Sequence, residues 1–399
     1  MKLLVIGAGM MGSAAAYDMA RAPQVESVTL ADADSKRAKQ ASARVNKFAG
    51  GKKVRAASVD AAKQSAITKL MKHHDAALSA VPYFYNLKLA KAAIDAGCHF
   101  ADLGGNNTVV RQELELDKKA AKKNVAIAPD CGLSPGMASI LGGELVRRMG
   151  GSADSLEIYV GGLPIEPRRP FNYQLVFSVE GLINEYVEPA RILRNGKIKV
   201  IEPLSEPEVF IMQGFPPLDA FHTSGGTSTL PETFQGKVGE CFEKTLRYQG
   251  HYAIIRSLYD LGLFSSEPKQ IGKQKVVPRA LMTKIFEEKF AGDEPDVTIL
   301  RVEAHQKDRV AAFTLVDRFD KKTKMTSMMR TTAWPASIVV QMLALGQIGK
   351  RGAIRQEVDV PAERFIAAMR QRGITVEFSL QTLDEAEATA QKKAFKAEA

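Results

Sequence analysis

"KLLVIGAGMMGSAAAYDMA", Lys2 to Ala20, decides the fold. Leu3 to Ile6 read as a short buried strand, the three glycines as a tight turn, and the alanine-rich run from about Met11 as a helix. In that setting G-x-G-x-x-G has a mechanical meaning. Gly7 permits the turn, Gly9 lets backbone approach a pyrophosphate, and Gly12 lets the helix lie against the strand. The first-turn amides, including those of Met10 and Met11, then point at the phosphates.

Working outward, "SVTLAD" reads as the second strand and ends at Asp32, twenty residues past Gly12, where an acid accepts adenosine ribose hydroxyls. Asp32 has a second reading, as the cap of a helix from Ser35. An acid there repels a 2′-phosphate, so NAD is the expected cofactor. Lys36 and Arg37 keep NADP admissible, since either can reach such a phosphate.

Strand and helix then alternate through "AALSAVP", "AKAAIDAG", "HFADLGG", "ELDKKAAKKN" and "VAIAPDCG". The alternation predicts an α/β fold, a Rossmann doubly wound parallel sheet with ligands at the carboxyl ends of its strands. Ser79 to Pro82, Val81 among them, fall at such an end and line the cofactor, with Tyr83, Phe84 and Tyr85 as a wall of the nicotinamide pocket or as packing residues. "DLGG", Asp102 to Gly105 with Gly104 inside it, is another strand-end loop whose acid faces the ligand or equally caps the next helix. "PDCGLSPGM" places Asp130 either near the cofactor mouth or as the cap of a crossover turn before the helix "MASILGGELVRRM".

After Gly150 the period changes to two-residue alternation in "SLEIYVGGLP", "DVTILRVEA", "DRVAAFTLVDRFD" and "KMTSMMRTTAW", the last two read as a hairpin around "DKKTK". An inserted second α+β domain on a mixed, mostly antiparallel sheet is expected, covered by helices in "FSVEGLINEYVEPA" and "PRALMTKIFEEKF". "AWPASIVVQMLALGQI" is too apolar for a surface helix and is expected to return to the first domain. The expected boundaries are 1–129 and 333–365 for the dinucleotide domain, 130–332 for the substrate domain, and 379–399 for a charged tail, a fraying helix.

"DAFHTSGGTSTL", Asp219 to Leu230, offers hydroxyls and backbone amides beside a predicted strand, "FEKTLRYQGH", that carries Lys244, Arg247, Tyr248 and His251. It reads as a clamp for a substrate carboxylate, with Arg247 as a bidentate fork, or as a hydroxyl-rich surface loop.

Composition narrows the function classes. With 399 residues, 45% hydrophobic and 25% charged, the chain is of ordinary globular type with room for two domains. The +10 net charge is spread along the sequence with no basic run interleaved with aromatics, so no nucleic-acid partner is expected. Three widely spaced cysteines, with no CxxC pair, point to a reducing cytoplasm and to no metal site. No stretch reaches the roughly 18 apolar residues of a membrane span, so no membrane association is expected. A small-molecule substrate and a homo-oligomer are.

"LVIGAGMMG", "LADAD", "DLGG", "PDCGLSPGM", "YVGGLP", "FSVEGLINEY", "DAFHTSGGTSTL" and "KTLRYQGH" together resemble the saccharopine dehydrogenase family, from Met1 to about Gly352. The resemblance implies an enzyme, a nicotinamide-dependent oxidoreductase acting on amino acids or secondary amines, and is greatest to members that oxidise the ε-amino group of lysine to the 6-semialdehyde. The alternatives are saccharopine or a related carboxyalkyl amine as substrate, with Arg168 and Arg169 as extra cationic partners or, as is more frequent, as solvent-exposed turn residues, and a non-catalytic dinucleotide-binding regulator. It also implies a substrate pocket drawing on Tyr83, Asp130, Tyr173, Glu180, His222, Thr223, Ser224, Arg247 and Tyr248. Stripping the lysine ammonium of its proton at pH 7 costs roughly 4.6 kcal/mol, so a base is needed. His222 is expected to take that part, with Glu180 second and Asp130 holding the ammonium.

Overall fold

The computed structural model describes residues 1–292, 294–382 and 384–385. These divide into two units. The first comprises Met1–Glu144, Asp320–Met325 and Met329–Val376, and the second Leu145–Phe319, Thr326–Met328 and the chain from Glu377. The first unit thus runs past the expected boundary at 129 and resumes slightly before 333. Most of the expected tail, from 386 on, lies outside the described residues.

The first unit is built on a wholly parallel seven-stranded sheet among the described residues. Its order is Gly352–Ala353, Ala126–Ala128, His99–Asp102, Ala76–Ser79, Lys2–Ile6, Ser27–Asp32 and Val54–Ser58. Lys2–Ile6 lies between Ala76–Ser79 and Ser27–Asp32, so the chain reverses direction of travel across the sheet just where the glycine turn emerges. Leu3, Leu4 and Val5 are fully buried, which is why that strand reads as an unbroken apolar run. The seventh strand comes from the far side of the insertion, pairing Gly352 with Ala126 and Ala353 with Ile127.

The apolar segment expected to return does so as the helix Ser327–Ala344. Within the first unit Ser337 Oγ and Gln341 Nε2 donate to the buried Asp18 carboxylate at 2.7 and 3.2 Å, Arg372 Nε donates to it at 2.6 Å, and Trp334 stacks on Tyr17. One expectation fails here. "KMTSMMRTTAW" is not the second strand of a hairpin but the start of this helix. Strand and helix periods are ambiguous in a short run of Met, Thr and Ser. The choice is made by Asp296, fully buried at the start of another strand, whose carboxylate accepts from the amides of Ser327 (2.6 Å) and Met328 (2.9 Å) and so anchors the helix start.

The second unit carries a mixed sheet of nine strands among the described residues. Its main path is Glu208–Phe210, Leu218–His222, Val238–Tyr248, Ala153–Pro164, Asp296–Gln306, Arg309–Arg318 and Glu377–Thr382, and a hairpin of Ala190–Arg194 and Lys197–Ile201 joins it off the path. Only Val238–Tyr248 and Ala153–Pro164 run parallel. The helices Val179–Val187, His251–Asp260 and Pro278–Phe290 bury Leu182, Ile183, Ile255, Met282 and Phe286 in one cluster with Phe221 of the sheet. No helix among the described residues is long and apolar enough to cross a membrane.

Candidate active site

At the glycine turn the chain leaves room for a phosphate. A Cβ on Gly12 would collide with the carbonyl oxygen of Gly7, so the helix Met10–Arg21 lies closer to the strand end than any side chain permits. Around Gly9 nothing stands within 4 Å of where a Cβ would be, and among the described residues no side chain caps the helix and no acid lies in its first turn. Its leading amides, next to Met10 and Met11, are therefore open to an anion. Asp32 turns toward this loop. Its carboxylate accepts from the amides of Ala8 at 2.8 Å and Asp34 at 2.9 Å, with Arg37 Nη1 at 3.9 Å. The cap of the helix Ser35–Ala49 is Asp34, which accepts from Lys36 and Arg37.

The carboxyl ends of neighbouring strands bring the next group together. Ser79 is buried and donates to Asn86 at 2.8 Å, and Val81 follows it. Tyr83 opens a single turn, Tyr83–Tyr85, and packs against Gly105, while Phe84 is exposed. Asp102 is fully buried and accepts from the amides of Gly104 (2.6 Å) and Asp130 (3.3 Å). The cap of the helix that follows, Asn107–Leu114, is Asn106. Asp130 is also buried, at φ +59°, and its carbonyl accepts from Gln356 Nε2. Against Asp102 lies a residue that sequence reading passed over, Glu113. Burial first, and then the Asp102 charge, pushes the Glu113 carboxyl up to about 11, while burial lifts Asp102 to about 6 against the opposing pull of its two amide donors. The pair therefore holds a proton at neutral pH.

The second unit buries a denser polar cluster. Along Val238–Tyr248 the residues Glu243, Thr245 and Arg247 are buried and alternate, so they share one face of the strand. Thr223 Oγ1 donates to Glu243 at 3.2 Å and lies 2.8 Å from Thr245 Oγ1. The Arg247 guanidinium stands 4.9 Å from the centre of the Tyr173 ring and 3.8 Å from Glu185, and it donates to the Leu246 carbonyl. Its Nε has no hydrogen-bond partner among the described residues. Burial, with the Glu185 charge adding to it, pushes Glu243 up to about 8, and burial lifts Glu185 to about 7 against the pull of Arg247. His251 completes the cluster as a neutral ring. Nδ1 donates to the Phe171 carbonyl at 2.9 Å, leaving Nε2 to accept from Tyr186 at 3.0 Å, and burial, then Arg247, brings its pKa down to about 3.

The stretch Asp219–Leu230 is less of a loop than its composition predicts. Leu218–His222 is a strand paired with Val238–Tyr248, and only 223–229 turn. That turn closes inward. The Ser224 amide donates to the Glu185 carbonyl, Thr227 Oγ1 donates to the Arg191 carbonyl, and a Cβ on Gly226 would come within 2.5 to 2.6 Å of the Glu243 side chain. Gly226 thus answers to a buried acid, whereas Gly225 answers to its left-handed backbone, at φ +97°.

His222 sits 1% exposed, Nδ1 at 3.0 Å from the Glu243 carbonyl and Nε2 at 3.3 Å from Glu206, with burial lowering its pKa. Glu180 lies elsewhere than the sequence led one to expect. Its side chain is 70% exposed and pairs with Arg279, whereas Glu185, five residues along the same helix, reaches Arg247. Tyr248 Oη donates to the Pro164 carbonyl. Arg168 is 72% exposed and pairs with Glu294. The members that sequence reading missed in this cluster are Glu185, Tyr186, Glu243 and Thr245. The signal for two of them was present, since Glu243, Thr245 and Arg247 are polar residues on what period-two alternation makes the inward face.

Comparison with known proteins agrees with this architecture. Residues 3–128 match the saccharopine dehydrogenase NADP binding domain, and residues 132–374 the saccharopine dehydrogenase C-terminal domain. A relative in Schizosaccharomyces pombe, saccharopine dehydrogenase [NADP(+), L-glutamate-forming], is 28% identical over 228 residues, 54% of this chain and 49% of that protein. The Saccharomyces cerevisiae protein of the same name is 23% identical over 266 residues, 64% of this chain and 58% of that one. The mouse mitochondrial alpha-aminoadipic semialdehyde synthase is 24% identical over 284 residues, 67% of this chain and 29% of its own length. The chain thus spans about half, or less, of the relatives it matches. The solved structure of apo saccharopine dehydrogenase (L-Glu forming) from Saccharomyces cerevisiae shares the fold, with a TM-score of 0.76 at 19% identity, covering 95% of this chain and 99% of that one. With domain models matching on both sides of residue 130 and the parallel and mixed sheets in place, the chain belongs to the saccharopine dehydrogenase family.

Proposed function

We propose that the chain is a nicotinamide-dependent dehydrogenase of saccharopine or a related carboxyalkyl amine, rather than of the free lysine ε-amine that the sequence motifs first suggested. The observation that carries a carboxylate-bearing amine is Arg247, a buried guanidinium with an unclaimed Nε–H beside Tyr173 and Glu185. A buried donor of that strength calls for an acceptor, and a substrate carboxylate supplies one. Arg247 would grip the α-carboxylate of lysine equally, and it is the names of the relatives that favour a substrate with additional carboxylates.

The first unit fits a dinucleotide. Gly7, Gly9, Met10, Met11 and Gly12 would hold the pyrophosphate and Asp32 the ribose, and the bound nicotinamide would accept a hydride from the carbon bearing nitrogen. NAD and NADP both remain admissible, as Asp32 disfavours and Arg37 favours a 2′-phosphate. The chain's own work is to grip and to hold protons. Arg247 grips a carboxylate. Glu185 and Glu243, at about 7 and about 8, titrate where an amine proton must be received near neutrality. His222, tied by Nδ1 to a backbone carbonyl, supports the strand pairing beneath them.

The test is a panel of saccharopine, lysine, ornithine and 2,6-diaminopimelate, each with NAD and NADP, followed by absorbance at 340 nm. Reduction with saccharopine is expected. Turnover of lysine with saccharopine silent would return the reaction to the ε-amine, and dinucleotide binding with no turnover of any amine would favour a non-catalytic regulator.

A further inference from the structure

On the second unit's sheet, three side chains with metal-binding atoms converge where no sequence motif announces them. Glu157 lies on Ala153–Pro164, and Glu303 and His305 lie on Asp296–Gln306. Antiparallel register sets Glu157 opposite Glu303 and Ser155 opposite His305, so all three point from one face of two neighbouring strands. His305 Nε2 is 3.3 Å from Glu303 Oε2 and 3.9 Å from Glu157 Oε1, and one ligand atom from each of the three lies within 4.8 Å of the others.

We propose that Glu157, Glu303 and His305 bind a divalent transition-metal ion of the zinc class, a site independent of the dehydrogenase reading. The spacing is the first reason. Ligands at 2.0–2.2 Å from a tetrahedral ion stand about 3.3–3.6 Å apart, so the triad closes on an ion with side-chain shifts of at most about an ångström. The surroundings are the second. The remaining capacity of each carboxylate is already claimed: Ser155 Oγ donates to Glu157 Oε1 at 2.8 Å, Tyr159 Oη to Glu157 Oε2 at 3.1 Å, and Arg301 Nε to Glu303 Oε1. Arg301 is itself held by Thr314 Oγ1 at 3.2 Å. Such partners fix ligand orientation and leave Glu303 Oε2 and His305 Nε2 facing inward.

Charge is the third reason. Two carboxylates against the Arg301 guanidinium leave one negative charge for a cation, and the nearby Lys244 is paired with Glu208 at 3.1 Å. The imidazole sets the chemical class, because a nitrogen ligand with two carboxylate oxygens selects zinc, cobalt or nickel over calcium and magnesium, which take oxygen alone. Water completes the coordination. All three side chains are between 15% and 26% exposed, enough for an ion to enter and too little for a freely moving surface group.

The experiment titrates the full chain with zinc chloride alone by isothermal calorimetry and repeats it on His305→Asn and Glu157→Gln, each checked for native circular dichroism. Cobalt(II) absorption in the visible reads the geometry independently. Expected are one saturable zinc equivalent, a cobalt spectrum of low-coordinate type, and affinity weakened roughly tenfold or more in each variant. Absence of saturable uptake by the wild type would overturn the site and leave His305 as a hydrogen-bonding partner of Glu303 beside Glu157. Equal affinity in wild type and both variants would overturn it as well, since the ion would then be bound elsewhere.

Discussion

Arg247 stands 3.8 Å from Glu185 and 4.9 Å from the centre of the Tyr173 ring, a cation held between a half-buried acid and an aromatic face. Its charge is secured, for although burial alone would lower its pKa, the neighbouring tyrosines and Glu185 raise it overall. Arg247→Lys keeps the charge and loses the planar fork. The expected result is an increase of roughly tenfold or more in KM for the carboxylate substrate with a smaller change in kcat, from the loss of one charge-assisted hydrogen bond. Steady-state kinetics decide it, and an unchanged KM would end the clamp assignment.

Glu243 makes stability depend on pH. Its folded pKa, about 8, lies above the ordinary 4.5, so between those values the unfolded chain gives up a proton that the folded chain keeps. Folding stability therefore falls as pH rises from about 4.5 to about 8, and below that window the contribution is flat. Glu185, raised to about 7, acts in the same direction. Replacing Glu243 with Gln should flatten the decline in melting temperature between pH 5 and 8, and an equally steep decline would remove the raised acid from the account.

Gly226 is a packing position. Its Cβ would meet the Cγ, Cδ and Oε2 of Glu243 at 2.5 to 2.6 Å, and that side chain is buried and held by two threonines. Gly226→Ala is expected to cost about 1–3 kcal/mol. Combined with a shortened side chain in Glu243→Ala, the penalty should shrink. Strict additivity in that double-mutant cycle, read by chemical denaturation, would show that the two positions do not communicate.

In the first unit, Glu113 raised to about 11 is neutral at pH 7. A neutral isostere should be accepted: Glu113→Gln is expected to melt within a few degrees of the wild type, whereas Glu113→Ala loses buried volume and the Asp102 contact together. Comparable destabilisation by both substitutions would argue that Glu113 is charged.

Cofactor choice turns on Asp32 and Arg37. Arg37 is 60% exposed and free to swing, while Asp32 braces the Ala8 amide. Arg37→Ala should weaken NADP binding roughly tenfold and leave NAD nearly unchanged, and Asp32→Ala should weaken NAD by loosening the turn. Fluorescence titration with both dinucleotides separates the two, and parallel losses in Arg37→Ala would be inconsistent with a phosphate contact.

The first unit was legible because its signals are local. A buried apolar strand, three glycines at fixed spacing and an acid twenty residues on are all read within one supersecondary unit. The second unit was legible in outline, from two-residue alternation, and less so in detail. "KMTSMMRTTAW" was misread because its conformation is set by Asp296, some thirty residues away, and no local propensity outweighs that cap. Glu180 and Glu185 are both acids on one helix, and the sequence does not say that it is Glu185 that faces Arg247. Glu157, Glu303 and His305 meet only through strand register, a relation between residues about 150 apart that motif spacing cannot express.

Asp18 has a consequence for how the molecule is made. It lies on the helix that follows the glycine turn, yet the groups that satisfy it, the donors Ser337 and Gln341 and the cation Arg372, are translated more than three hundred residues later. A nascent chain that has grown only through the glycine motif and the strands that follow it carries a carboxylate without its Arg372 counter-charge and a sheet short of its seventh strand. Completion of the nucleotide lobe thus waits on synthesis of the returning segment, which supplies both the seventh strand and the Asp18 partners.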